Sequence, residues 1–358
     1  MRIAIDASRT TVSRVTGTEN YAIQLISALI RLNTLHQLTL YFRDEPRAGL
    51  LPSSALTEQK VIPFQRMWTH LRFAAALWQE KPDVTFVPAH TLPFAFPGKA
   101  VATVHDLGFK YFPQAHPTSQ RLYLDWTTRY SANRANIVLA DSQATADDLQ
   151  KYYGTSPNKI RVVYPGVDQP IVGNIEAVRQ KYNLPKRYFL FIGTLQPRKN
   201  IARLVQAYAL WKKRHPNDST ALVLAGGKGW LYDPAWVSGV EGVQLTGYID
   251  DGDKGALYAG AVSLVFPSLY EGFGFPTLEA MSCGTPVIAS NTSSLPELVG
   301  DAGMLVDPLN IEAIASAMSQ LSTDENSRGI YRQRGYEQIK KFTWETAATQ
   351  LLSAFESI

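Results

Sequence analysis

Glu271 and Glu279 stand at the two ends of the stretch Glu-Gly-Phe-Gly-Phe-Pro-Thr-Leu-Glu. Proline is favoured at the first position of a helix, where its missing N–H costs nothing. The spacing therefore predicts Glu271 on a loop, a helix opening at Pro276, and Glu279 in its first turn. The unpaired N–H groups of such a turn favour an anion. An anion hole with a carboxylate on either side suits a diphosphate flanked by hydroxyl-rich rings, which describes a nucleotide sugar. A glycosidase pair is a second reading, but such carboxyls stand roughly 5–9.5 Å apart. Eight helical residues would rise about 12 Å, so separate jobs fit better than a shared one. The plainest alternative is two solvated acids on a helix surface.

Three further loops carry residue types that could do chemistry. Thr16-Gly17-Thr18-Glu19 fits a capping box, and Gly17 lets another group come close to the backbone. An ordinary helix cap explains the same residues, and the dinucleotide fingerprint G-x-G-x-x-G is absent. Val104-His105-Asp106 follows an apolar run; a histidine there is either structural or a neutral hydrogen-bond donor near a substrate. Gly193-Thr194-Leu195-Gln196-Pro197-Arg198-Lys199-Asn200 links an apolar run to a helical pattern, with Asn200 as a good N-cap. Arg198 and Lys199 there read as a phosphate grip or as a solvated basic turn. A metal site is not expected, because no His or Cys partner stands at ligand spacing and the chain has one cysteine. Gly226-Gly227-Lys228-Gly229 lacks the P-loop spacing and reads as a turn.

The elements that must position these loops alternate along the chain. Arg2–Ala7, Leu38–Phe42, Val84–Val87, Val101–Val104 and Ile137–Ala140 read as buried strands. Ala22, Leu25, Ile26, Leu29 and Leu32 follow the helical period between the first two. This is the βα alternation of a parallel sheet. It breaks between Pro165 and Lys186, then restarts with strands at Tyr188–Ile192, Leu222–Ala225, Val243–Leu245, Leu264–Phe266 and Pro286–Ala289. The expected division is 1–168, 169–340 and a terminal helix within 341–358. All the candidate loops fall at strand ends or helix starts, where open α/β sheets bind ligands.

A chain of 358 residues favours two domains, and 45% hydrophobic with 18% charged residues is globular composition. A net charge of +4 fits an anionic substrate or a weak membrane surface and does not call for nucleic acid. Met1-Arg2-Ile3-Ala4-Ile5-Asp6 is charged too early for a signal peptide, and no apolar run reaches membrane-spanning length. The expected location is cytoplasmic.

Taken together, these loops resemble glycosyltransferase family 4, retaining enzymes of the GT-B fold, in which two Rossmann-like domains with parallel sheets face across a cleft. The resemblance is most specific over Phe191–Ala207 and Phe266–Pro308, which carries the Glu-x7-Glu motif at Glu271 and Glu279. Gly17, His105-Asp106 and Ala140-Asp141-Ser142 extend it through the first half. The general look is similar to bacterial mannosyltransferases of surface polysaccharide synthesis. The resemblance implies that Arg198 and Lys199 hold the donor diphosphate and stabilise it as it leaves. It implies that Glu271 bonds the transferred hexose and Glu279 the ribose, with Tyr248 and Ile249 beside the base. Backbone around Gly193, Thr194, Gly274, Phe275, Thr277 and Leu278 would line the donor, Gly17 would approach the phosphates, and His105 would help align the sugar. It also implies a terminal helix, Trp344–Phe355, that crosses back to the first domain.

The expected donor is GDP-mannose, with UDP-glucose as the alternative; a sugar phosphorylase or a non-catalytic nucleotide-sugar-binding subunit is further off. No Asp-x-Asp motif lies near these loops, so transfer without a metal or other cofactor is expected. The acceptor would be a saccharide or a lipid-linked saccharide, with Asp106, Arg121 and Tyr123 as candidate contacts. Two basic aromatic stretches, 64–73 and 121–130, could lie on a membrane or be half buried in the core; the core reading is favoured, leaving peripheral membrane contact as an option.

Overall fold

A computed structural model describes residues 1–12, 17–115 and 117–358. The chain divides into two compact units, one formed by Met1–Gly166 with Phe342–Ile358, the other by Val167–Lys341.

Among the described residues of the first unit, seven strands run in chain order: β1 Arg2–Asp6, β2 Gln37–Phe42, β3 Thr57–Val61, β4 Val84–Val87, β5 Lys99–Val104, β6 Ile137–Ala140 and β7 Ile160–Val162. They pair in the order β3-β2-β1-β4-β5-β6-β7, every pair parallel. A parallel sheet is covered on both faces, so its inner strands read as continuous apolar runs; β4 and β6 are buried at every position. The edge strand β3, Thr-Glu-Gln-Lys-Val, is half or fully exposed. Such polarity discourages pairing with another chain, and it also hid this strand from the apolar pattern.

The helix Gly17–Arg31 covers one face, sharing a core between Tyr21, Leu25 and Leu29 and the strand residues Ile3, Ile5, Leu40 and Phe86. Ala347, Ala348, Leu351 and Phe355 of the helix Trp344–Glu356 enter the same core, so this terminal helix belongs to the first unit. Thr343 opens it by accepting the Thr346 N–H at 3.1 Å. Phe355 meets Phe86 edge-on at 5.6 Å. Burial of Leu351 and Phe355 contributes about 1.5–3 kcal/mol each.

In the second unit, six strands are described: β8 Tyr188–Ile192, β9 Ala221–Ala225, β10 Val243–Gly247, β11 Ser263–Phe266, β12 Val287–Ser290 and β13 Met304–Val306. Their order is β10-β9-β8-β11-β12-β13, again all parallel. The chain leaves β8 toward β9 on one side, while β11 pairs on the other. The strand order therefore reverses between β8 and β11. Loops leaving the carboxyl ends of such a strand pair part from each other and open a crevice, the usual ligand site of an open α/β sheet. In the first sheet the reversal lies between β1 and β4. Among the described residues no helix is long and apolar enough to cross a membrane.

Candidate active site

The loops at the β8/β11 reversal are 193–200 and 267–274. Gly193 leaves β8 with φ +142° and donates its N–H to Ala225 O at 2.9 Å. A side chain on Gly226, which follows β9, would place Cβ 2.1 Å from Gly193 O, so the loops after β8 and β9 touch through glycine backbone. A short turn at Pro197–Lys199 follows. Asn200 does not cap the next helix with its side chain, contrary to its expected role. Its backbone is left-handed, and its amide nitrogen donates to Pro267 O at 3.1 Å and Pro308 O at 2.6 Å. Two buried carbonyls thereby gain a partner, and the loop after β8 is stapled to the loop after β11. Leu269 N–H adds a bond to Arg198 O at 2.8 Å.

This stapling brings three charges together. Lys199 Nζ donates to Glu271 Oε1 at 2.5 Å, and Arg198 Nη1 donates to Glu271 Oε2 at 2.9 Å and to Tyr270 O at 2.9 Å. Lys199 also lies over the Phe266 ring, 4.6 Å from its centroid. Glu271 and Lys199 are buried, while Arg198 keeps a quarter of its side chain in solvent. Burial alone would raise the Glu271 pKa, but the charges of Arg198 and Lys199 pull it down to about 2. Glu271 is thus a fixed anion and hydrogen-bond acceptor, unsuited to giving a proton near neutrality. Its backbone is held as firmly: its N–H donates to Ser293 Oγ at 3.0 Å, and Ser294 Oγ donates to its carbonyl at 3.1 Å. The pattern alone gave no reason to single out these two serines.

The helix after Glu271 spans Phe275–Ser282. It begins one residue earlier than expected, so Pro276 is its second residue and Glu279 falls in the second turn. Gly274, at φ +130°, packs so closely that a Cβ would meet Leu295 Cδ2 at 2.7 Å. Thr277 is buried, and both its N–H (3.0 Å) and its hydroxyl (2.8 Å) donate to Gly274 O. That amide closes the turn at the start of the helix, and the Leu278 side chain lies in the core. Glu279 Oε2 accepts from Tyr258 OH at 2.7 Å. Burial raises the Glu279 pKa, opposed by the Tyr258 bond and by the charge of Lys254. Lys254 also binds Asp251 at 2.6 Å. Tyr258 and Lys254 had no sequence signal, because a helix between two strands places many such residues. On the loop after β10, Tyr248 is exposed and Ile249 buried.

In the first unit, His105 follows β5 and is nearly closed off from solvent. Its Nδ1 lies 2.7 Å from Asp141 Oδ2, at the end of β6, and its Nε2 lies 3.1 Å from Pro88 O, at the end of β4. A carbonyl only accepts, so Nε2 carries a proton, and a second proton lies between Nδ1 and the carboxylate. Burial opposes the charged ring, but Asp141 outweighs it and the His105 pKa rises. The neighbour Asp106 adds only a lesser electrostatic pull on the ring; its carboxylate accepts the Gly108 N–H at 2.7 Å and starts the next turn. Tyr21 meets His105 edge-on at 4.7 Å. Gly17 opens the long helix, whereas Thr16, the other half of the expected capping box, lies outside the described residues. Arg121 and Tyr123 sit on the helix Thr118–Arg134, with Tyr123 OH 3.2 Å from His70 Nε2. The two basic aromatic stretches are split: Trp68 and Phe73 stack inside the core at 5.1 Å, while Leu122, Tyr123 and Trp126 face solvent. The second stretch is thus half buried: Leu124 and Tyr130 pack against the core, while the face carrying Leu122, Tyr123 and Trp126 is left to solvent. Among the described residues no three His, Cys, Asp or Glu side chains gather as a metal site would need.

Known proteins match both units. Residues 15–169 match the model of Glycosyltransferase Family 4, and residues 174–338 that of Glycosyl transferases group 1. The chain is 32% identical to O-antigen chain mannosyltransferase B of Escherichia coli, covering 96% of each. Sucrose-phosphate synthase from Thermosynechococcus elongatus shares its fold at a TM-score of 0.75 and 22% identity, over 99% of this chain and 98% of that one. So does the Anabaena protein HepE in complex with UDP-glucose, at 0.73 and 18%, over 100% of both. The fold is that of the GT-B class of glycosyltransferases. Within that class, identity along nearly the whole length of the E. coli mannosyltransferase decides the narrower membership: the chain belongs to glycosyltransferase family 4.

Proposed function

We propose that this protein is a retaining hexosyltransferase that moves mannose from GDP-mannose to a saccharide or lipid-linked saccharide acceptor in cell-surface polysaccharide synthesis. The observation that carries this reading is the pairing of Arg198 and Lys199 with Glu271 at the β8/β11 reversal. Two cations against one carboxylate leave net positive charge, which suits a diphosphate. As the sugar–diphosphate bond breaks, negative charge builds on the departing oxygen. Cations already fixed in place stabilise it without reorganising. Glu271 stays ionised and accepts hydrogen bonds from the hexose hydroxyls, and Glu279 accepts from the ribose. Arg198 and Lys199 supply the charge that a divalent ion would otherwise supply, so the reaction is metal-independent and needs no cofactor beyond its donor.

The choice of mannose and of polysaccharide synthesis is supported by the name of the E. coli relative. UDP-glucose is the alternative donor. The proposed location is the cytoplasm, with peripheral contact at the inner face of the membrane.

The test is incubation with GDP-mannose or UDP-glucose, a synthetic mannoside acceptor and EDTA, followed by NMR of the product. The expected result is α-linked mannose from GDP-mannose alone. A β-linked product would overturn retention, and turnover of UDP-glucose alone would replace the donor. Sugar phosphate formed from added phosphate would replace transfer by phosphorolysis.

A further inference from the structure

The helix Thr118–Arg134 is built inside out. It buries Thr127, Thr128 and Ser131 completely, yet Leu122, Tyr123 and Trp126 are 60%, 48% and 53% exposed. Thr128 Oγ1 is buried without a hydrogen-bond partner. Positions three and four apart share a helix face, so Leu122, Tyr123 and Trp126 form one outward stripe. Single exposed apolar residues are ordinary, but a contiguous patch marks an interaction site. This stripe is contiguous with a second segment. Phe94 stacks on His70 with centroids 3.6 Å apart and packs against Trp126 at 4.8 Å. Beyond His70, Met67 and Leu71 are 56% and 52% exposed.

The charges around the patch are predominantly positive. Segments 64–73 and 117–134 contain Arg66, Arg72, Arg121, Arg129 and Arg134, and one acid, Asp125. Lys110 Nζ holds that acid at 2.6 Å. Arg66, Arg72 and Arg129 are exposed.

We propose that this face docks onto the surface of an anionic phospholipid bilayer. Trp and Tyr favour the membrane–water boundary, where one end of the ring is apolar and the other wet. Leu71, Leu122 and Met67 enter the acyl margin, while the arginines meet lipid phosphates. The aliphatic members favour lipid over a glycan, which would use the rings and hydrogen-bonding groups alone. The inference rests on the peripheral contact proposed above and gives it a place and a lipid chemistry.

The experiment is sedimentation of the full chain with phosphatidylcholine vesicles, plain or carrying roughly one phosphatidylglycerol in three. It compares the wild type with Leu122→Gln/Trp126→Gln and with Arg66→Glu/Arg129→Glu. These side chains already face solvent, so thermal melting should not change. The wild type should bind the anionic vesicles and lose binding at high salt. Each double variant should bind about tenfold more weakly. If the wild type binds neither vesicle, both the surface and the peripheral reading fail. If it binds and the variants bind equally well, the surface alone is wrong. A dimer that Leu122→Gln/Trp126→Gln dissociates would assign the face to a second copy and overturn the lipid proposal.

Discussion

Lys199 and Glu271 lie 72 positions apart in the chain and meet at 2.5 Å, because β8 and β11 are neighbours in the sheet. Their pairing turns two loops into one charged site, with Arg198 on the solvent side.

Changing Lys199 to Ala should cut turnover by about 10²–10³-fold, the usual loss when one fixed charge-stabilising donor is removed. Removing one partner of a buried pair destabilises by about 3–5 kcal/mol when it strands the other charge. Arg198 still contacts Glu271 here, so the melting loss should be smaller. Steady-state kinetics beside a denaturant curve checks this; an activity loss explained wholly by unfolding would assign Lys199 a structural role.

Glu271→Gln should impair transfer while nucleoside diphosphate binding persists, since both cations remain. The acid limb of stability should change too. The folded pKa is near 2 against an ordinary 4.5, so the wild type holds this contribution above 4.5 and loses it as pH falls toward 2. The full amount is about 3 kcal/mol. Melting curves between these pH values should converge for the two proteins. Loss of nucleotide binding in the variant would show that the two glutamates do not divide the donor as proposed.

Tyr258→Phe removes the hydroxyl that holds Glu279. One neutral-to-charged hydrogen bond is worth roughly 1.5 kcal/mol, or about tenfold in affinity. Donor KM should rise by that order with kcat little changed, because the ribose contact proposed for Glu279 lies away from the breaking bond. An equal fall in kcat would place Tyr258 nearer the chemistry.

The His105–Asp141 pair should make the fold alkali-sensitive. His105 titrates above its ordinary 6.5, and burial raises Asp141 as well. The folded pair therefore keeps a proton that the unfolded chain has lost. Its contribution is full below 6.5 and is lost as pH rises through the folded value, at up to about 1.4 kcal/mol per pH unit. Asp141→Asn should flatten this alkaline slope in a melting series. An unchanged slope would show that the pair does not hold that proton.

What could be read from the sequence follows from how each residue is buried. Inner strands such as Val84–Val87 and Tyr188–Ile192 are covered on both faces, so their apolar runs stand out. Thr57–Val61 is a polar edge, and Ile160–Val162 and Met304–Val306 are three residues each, too short for a pattern. The site loops were legible as strand ends. Their pairing was not, because strand order decides it. Asp106 sits next to His105 in the chain, yet Asp141 takes the ring, since β5 and β6 bring their ends together. Asn200 fits a cap by type, but two buried carbonyls claim its side chain. The stripe Leu122–Trp126 was ambiguous because its residue types suit a core and a membrane face alike.

The central claim is that Arg198, Lys199 and Glu271 form a metal-independent nucleotide-sugar site. The most direct measurement is the melting temperature with GDP-mannose, UDP-glucose, GDP and UDP, with and without EDTA, for the wild type and Arg198→Ala. A ligand that binds only the folded state must raise the melting point. A clear rise with GDP-mannose and GDP, unchanged by EDTA and lost in Arg198→Ala, is the expected result. No rise with any nucleotide, or a rise that Arg198→Ala leaves intact, would contradict it.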